Sequence, residues 1–200
     1  WDAQQGNLLA RLPTADDVAT VDLVFRPDNQ QLVTVDAQNQ VRLWNLTRPP
    51  QLVCGPQTPV IQSCFSGDGQ RVATITEDGF AHVGNATTGE TLFKQPLPLR
   101  ATTVGLDQAG TCLVTADSQQ LTFWDVLKQQ MDFTLACEQI QNVTFDAQNL
   151  WLAASTQNSV YVLDRKTKEI VATLEHDEPV TTLIFHPNGE QLATVTADGV

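Results

Sequence analysis

LVFRPDNQQLVTV (23–35), SCFSGDGQRVATI (63–75), VGLDQAGTCLVTA (104–116), VTFDAQNLWLAAS (143–155) and LIFHPNGEQLATV (183–195) are five copies of one pattern. Each opens on an alternating apolar run, passes through a tight-turn cluster, and continues into a second run rich in β-branched residues. The anchors Phe25, Phe65, Leu106, Phe145 and Phe185 step by 40, 41, 39 and 40 residues. A period of this size marks a repeat architecture in which each copy is one supersecondary unit.

The second copy gives the unit in full. Residues 60–65 alternate as a strand, Gly67-Asp68-Gly69 turns, and 71–75 is a β-branched second strand. Glu77-Asp78-Gly79 turns again, 80–83 is a third strand, Asn85 to Gly89 is a longer turn, and 90–94 is a fourth strand. No window carries a helical stripe. Residues 121–131 come nearest, and their phase in the repeat makes them a strand and a turn. A lone four-stranded sheet cannot bury both faces, whereas such sheets stacked face to face around an axis do. The expected fold is therefore all-β: a β-propeller of four-stranded antiparallel blades, about five of them present. Residues 59–65 and their equivalents, with the most apolar runs, are expected innermost, and 90–94 and their equivalents outermost. The blade boundaries read as 18–56, 57–98, 99–136, 137–176 and an incomplete 177–200. Residues 1–17 end a preceding blade.

The third strands close on Leu43-Trp44-Asn45, Phe123-Trp124-Asp125 and Val162-Leu163-Asp164, and the chain opens on Trp1-Asp2. The last copy reads LEHDEPVTTLIFHPNGEQLATVTADG (174–199). On these residues the chain resembles the WD-repeat (WD40-type) β-propeller family along its whole length. The resemblance implies a hydrogen-bonded tetrad in each blade. Its members are a His before the first strand, a Ser or Thr in the second, an Asp in the second turn and the Trp of the third. By that pattern the fifth copy offers His176, Thr194 and Asp198. The second offers Thr74 and Asp78, with Gly84 at the Trp position. The first offers Thr34 and Trp44 with Gln38 in the Asp place, and the third offers Thr115 and Trp124 with Ser118 there. The fourth has Ala154, Gln157 and Leu163. No copy is complete, so stability is expected to rest on apolar stacking more than on tetrads. Family members usually close with seven or eight blades, which makes the chain a window on a larger ring. A five-bladed ring closed by residues 1–12 against 180–200 is the alternative.

The net charge is −12, the pI is about 4.4, and the 11 Lys and Arg form no run. Nucleic acid and anionic membranes need a basic footprint, so neither is an expected partner. No 18-residue apolar run is long enough to span a bilayer. Cys54, Cys64, Cys112 and Cys137 lack metal-ligand spacing and read as small buried hydrophobes of a reducing, cytoplasmic compartment. His82, His176 and His186 stand near no nucleophile motif, and no Walker, zincin or dinucleotide fingerprint occurs. The Asp-Gly turns lack the ligand series of a calcium loop. No catalytic residue, metal or cofactor is assigned.

In a propeller, the loops before the first strand and after the second open on one face. Asp16, Asp17, Asp36, Glu77, Asp78, Asp117, Glu138, Glu175, Asp177, Glu178 and Asp198 fall there, 11 of the 23 acids, with Arg100 as the one base. An acidic rim focuses negative potential and attracts basic segments. Asp16, Asp17, Asp36, Glu77, Asp117, Glu138, Asp177 and Glu178 are the candidate partner-binding residues. The expected function is a non-enzymatic scaffold that binds a protein or a Lys/Arg-rich peptide. The alternatives are a sensory or regulatory module of a larger multidomain protein, and a propeller enzyme of the lactonase or quinoprotein type.

Overall fold

Every regular element is a β-strand in the computed structural model, which describes Gln5, Leu12 and residues 18–37, 41–46, 58–98 and 100–199. Trp1, Asp2, Asp16, Asp17, Gln38 and Cys54 lie outside the described residues. Blade one holds β1 (Thr20–Phe25), β2 (Gln31–Asp36) and β3 (Val41–Asn45). Blade two holds β4 (Val60–Phe65), β5 (Arg71–Thr76), β6 (Phe80–Asn85) and β7 (Thr91–Pro96). Blade three holds β8 (Thr103–Leu106), β9 (Cys112–Ala116), β10 (Gln120–Asp125) and β11 (Gln130–Ala136). Blade four holds β12 (Asn142–Phe145), β13 (Trp151–Ser155), β14 (Ser159–Asp164) and β15 (Glu169–Glu175), and blade five holds β16 (Val180–Phe185) and β17 (Leu192–Thr196).

All pairings are antiparallel between sequence neighbours, so each blade is a simple meander. The blades follow one another in an arc, with β1, β4, β8, β12 and β16 side by side at its centre. Pro27, Gly67, Gln108, Ala147 and Pro187 hold the same place in the five first turns, and all of them line one axial cavity of about 310 Å³. The fold is a β-propeller arc, as the 40-residue period requires.

Strand alternation gives each blade two faces. In blade two, Ala73, Ile75, Ala81, Val83 and Phe93 pack forward onto Val104, Leu106, Leu113, Trp124 and Val126 of blade three. Val72 and Phe65 pack backward onto Val33, Val35 and Leu43 of blade one. Val114, Ala116, Leu121 and Phe123 meet Leu152, Ala154 and Leu163 of blade four in the same way. In blades two and four the second strand is more completely buried than the first, and β2 is buried throughout, whereas in blade three the first strand, β8, is the one buried throughout. A second strand has a bonded neighbour on each edge and a blade against each face, whereas a first strand leaves one edge on the axis.

The first turns set the register of this stack. Asn29, Gly69, Gly110, Asn149 and Gly189 occupy equivalent positions, and all five have left-handed φ, between +57° and +75°. Gly and Asn visit this region at the lowest steric cost, which explains why the pattern alternates between them. At Gly110 the backbone is also crowded. A Cβ there would lie 2.5 Å from Arg71 Cδ and 3.1 Å from Arg71 Cβ, while Arg71 Nη1 donates to the Gly110 carbonyl at 2.8 Å. Gly110→Ala is expected to cost about 2–4 kcal/mol, because left-handed strain adds to displacement of the Arg71 clasp. Gly79→Ala, equally left-handed at +83° but with nothing within 4 Å, should cost only about 1–2 kcal/mol. Urea denaturation of the two variants compares them directly, and equal losses would show that the Arg71 clasp has no weight.

Candidate functional site

The registers fix which loops share a face. Val60 pairs with Thr76, and Phe80 with Pro96, so the start of each first strand, the end of the second, the start of the third and the end of the fourth lie together. The loops 97–102, 137–141 and 176–179, and the turns 77–79, 117–119, 156–158 and 197–199, therefore open on one side of the arc. This is the side on which the acidic residues gather.

The acids divide into two kinds. Asp36 is 2 % exposed and its carboxylate accepts from Arg42 Nη1 at 2.7 Å. Asp117 is 5 % exposed and accepts the backbone N–H groups of Gln119 and Gln120 at 2.8 and 3.1 Å. Both hold their own blades together. Asp78 and Asp198 accept the hydroxyls of Thr76 and Thr196, each at 2.5 Å, and brace the second turns of blades two and five. Glu77, Glu138, Asp177 and Glu178 are exposed. Among the described residues, no cation lies within ion-pair distance of Glu138, Asp177 or Glu178. The loop carrying Asp177 is clamped by Asn158, whose Nδ2 donates to the carbonyls of His176 and Asp177 at 3.3 and 3.1 Å. Ser159 adds a hydroxyl bond to Glu175 at 2.7 Å. The exposed charges thus stand on a fixed backbone. Asp16 and Asp17 lie outside the described residues.

The tetrad positions are partly joined. Trp44 Nε1 donates to Thr34 Oγ1 at 2.8 Å, and Trp124 Nε1 to Thr115 Oγ1 at 3.0 Å, all four side chains being buried. Thr74 stands opposite His82, just as Thr34 stands opposite Arg42 and Thr115 opposite Thr122, but Gly84 brings it no indole. Thr194 is half-buried in β17, and His176 Nε2 is buried without a hydrogen-bond partner. The threonines that reach Asp78 and Asp198 are Thr76 and Thr196, not Thr74 and Thr194. The spacing Thr-x-Asp-Gly at 76–79 and 196–199 carries that signal, since a hydroxyl two residues before an Asp closes a local turn.

Burial pushes the Cys64 thiol up to about 12 and the Cys112 thiol up to about 11, so both stay protonated and unreactive at neutral pH. Among the described residues, no three His, Cys, Asp or Glu come together as metal ligands, and no helix is long and apolar enough to cross a membrane.

The model of the WD domain, G-beta repeat, matches residues 6–45 and 168–200. By these two matches the chain carries WD repeats. Its five in-phase blades and its two Thr–Trp bonds agree with that assignment. Among its relatives is Periodic tryptophan protein 2 of Arabidopsis thaliana, 26 % identical over 191 residues, covering 88 % of this chain and 21 % of that protein. Another is the COMPASS component SWD3 of Saccharomyces cerevisiae, 22 % identical over 193 residues, covering 87 % of this chain and 60 % of that protein. The WD-repeat chain thus spans about a fifth of the first relative and three fifths of the second. SWD3 is, by its name, a component of an assembly.

Proposed function

We propose that this WD-repeat chain is a non-enzymatic scaffold that docks a Lys/Arg-rich segment of a partner protein on its acidic loop face. The observation that carries the reading is the set Glu138, Asp177 and Glu178: exposed, without a cation in reach among the described residues, and mounted on loops tied down by the Asn158 side chain at 176–177 and by backbone bonds of Cys137 and Gln139 to Gln119 and Ser118. A basic segment gains Coulomb energy there while the scaffold has little order left to lose, which favours binding. The matched WD repeats and the SWD3 relative support the scaffold reading.

The test is a binding titration with a Lys/Arg-rich peptide across a salt series. Affinity is expected to fall steadily with salt. A Glu138→Gln, Asp177→Asn, Glu178→Gln triple variant should bind about tenfold more weakly, as three exposed charges at about 0.2–1 kcal/mol each imply. Salt-independent affinity, or a triple variant that binds like the parent, overturns the acidic-face reading.

A further inference from the structure

We propose that the junction between blades one and two is an acid-sensitive joint, loosened when His82 gains a proton. Blade two departs from its neighbours on one face. The register aligns Ser63, Thr74, His82 and Lys94 in a row across β4, β5, β6 and β7. Strand alternation turns this row the same way as Val72, toward Val33, Val35 and Leu43 of blade one. At the innermost place of the row the other blades carry Leu23, Val104, Val143 and Leu183, where blade two has a serine. At the Trp place, where Trp44 and Trp124 bond a threonine, blade two has Gly84. Two buried polar atoms without a partner result, Ser63 Oγ and His82 Nε2. Such orphans are uncommon in folded chains and cost free energy where they occur.

The charges around His82 oppose its protonation. Lys94 flanks it from β7, with Nζ 4.7 Å above the Phe80 ring, and that ring lies 6.2 Å from the imidazole. Asp78, in the turn before β6, is the one acid acting on it, and its carboxylate is already bonded to Thr76. Thr74 from β5 and Ser63 from β4 are neutral. The described face of blade one opposite is apolar at Val24, Val33, Val35 and Leu43; its one acid, Asp22, lies at the inner end beside Val35 and accepts the Leu23 N–H, and Arg42 sits on the far face of that blade, paired with Asp36. Burial, and then the Lys94 ammonium, hold the His82 imidazolium below the ordinary histidine range. A histidine depressed on folding binds protons more readily when unfolded. The stability it permits is therefore present above about pH 6.5 and is lost as pH falls below that value toward the folded one. The charge would be brought against the Val33, Val35 and Leu43 side of blade one, so the loss should be local to this junction.

The experiment measures thermal unfolding of the whole chain from about pH 7.5 to about pH 5.5, together with amide exchange. The parent should lose Tm on acidification, with exchange in β2 and β3 accelerating before exchange in β13. His82→Thr, which installs the residue found at the same place in blade three (Thr122), should remove most of the pH slope, whereas His176→Asn and His186→Asn should keep it. An NMR titration of the His82 ring in the parent chain gives a second readout that needs no variant. A His82→Thr slope equal to the parent's, a ring that titrates at or above the ordinary histidine value, or acid-accelerated exchange spread evenly over all blades overturns the proposal.

Discussion

Trp124→Ala is expected to lower the stability of the chain by about 3–5 kcal/mol, or roughly 10 °C in Tm for a chain of this size. The indole is 6 % exposed and stands edge-on to Phe93 of blade two, with centroids 6.1 Å apart at 69°. It also donates to Thr115 within blade three. One side chain thus joins a blade to its neighbour and braces its own second and third strands. Trp124→Phe separates the two contributions. A phenyl ring keeps most of the apolar contact and loses the donor, leaving the Thr115 hydroxyl unpartnered in a buried place, which should cost about 1–3 kcal/mol. Urea unfolding of the two variants reads both values. A Trp124→Ala loss below about 1 kcal/mol would mean that the blade-two to blade-three junction closes over the cavity, contrary to the dense packing around Leu113 and Val126.

The contrast with blade two shows what the sequence could and could not tell. The strand sequence, the meander order and the radial stacking were all legible, because a period of about 40 residues combined with alternation of two leaves few other ways to bury the apolar runs. Positive φ at Asn29, Gly69, Gly110, Asn149 and Gly189 was legible as turn chemistry. The acidic face was legible as loops but not as chemistry. Asp36 and Glu77 look alike in a list of loop acids, yet one is buried against Arg42 of the neighbouring strand and the other is exposed. The bonds between Thr76 and Asp78 and between Thr196 and Asp198 were hidden by the family pattern, which directs attention to Thr74 and Thr194. A second-strand threonine reaches an indole when one is present, and Gly84 removes it. What escaped the sequence was each polar group's choice between two nearby partners, and pattern alone does not decide that.

Asp107→Ala should be nearly as damaging as the loss of Trp124, for an electrostatic reason. Asp107 lies in the first turn of blade three, 2 % exposed. Its Oδ1 accepts the backbone N–H groups of Thr111 and Cys112 at 2.7 and 3.0 Å, and its Oδ2 accepts the Thr111 hydroxyl at 3.2 Å. Arg165 of blade four approaches the same Oδ2 with Nη2 at 3.4 Å, rests over the Phe145 ring at 4.8 Å, and donates to the Asn149 carbonyl at 3.3 Å. Removing the carboxylate orphans two N–H donors and leaves a mostly buried guanidinium without its counter-charge. Loss of one member of such a pair typically costs about 3–5 kcal/mol. Asp107→Asn keeps an acceptor for the turn and discards the charge, so it should cost about half as much, mainly at the inter-blade contact. Arg165→Met keeps the apolar stem over Phe145 and leaves Asp107 bonded to its own turn, so its cost should be about 1–2 kcal/mol. In a double-mutant cycle the Asp107→Asn and Arg165→Met losses should fall short of additivity by about 1 kcal/mol or more, as expected for groups in contact. Strict additivity would assign Asp107 to its own turn alone and leave the junction of blades three and four to the apolar cluster of Leu121, Leu152 and Leu163.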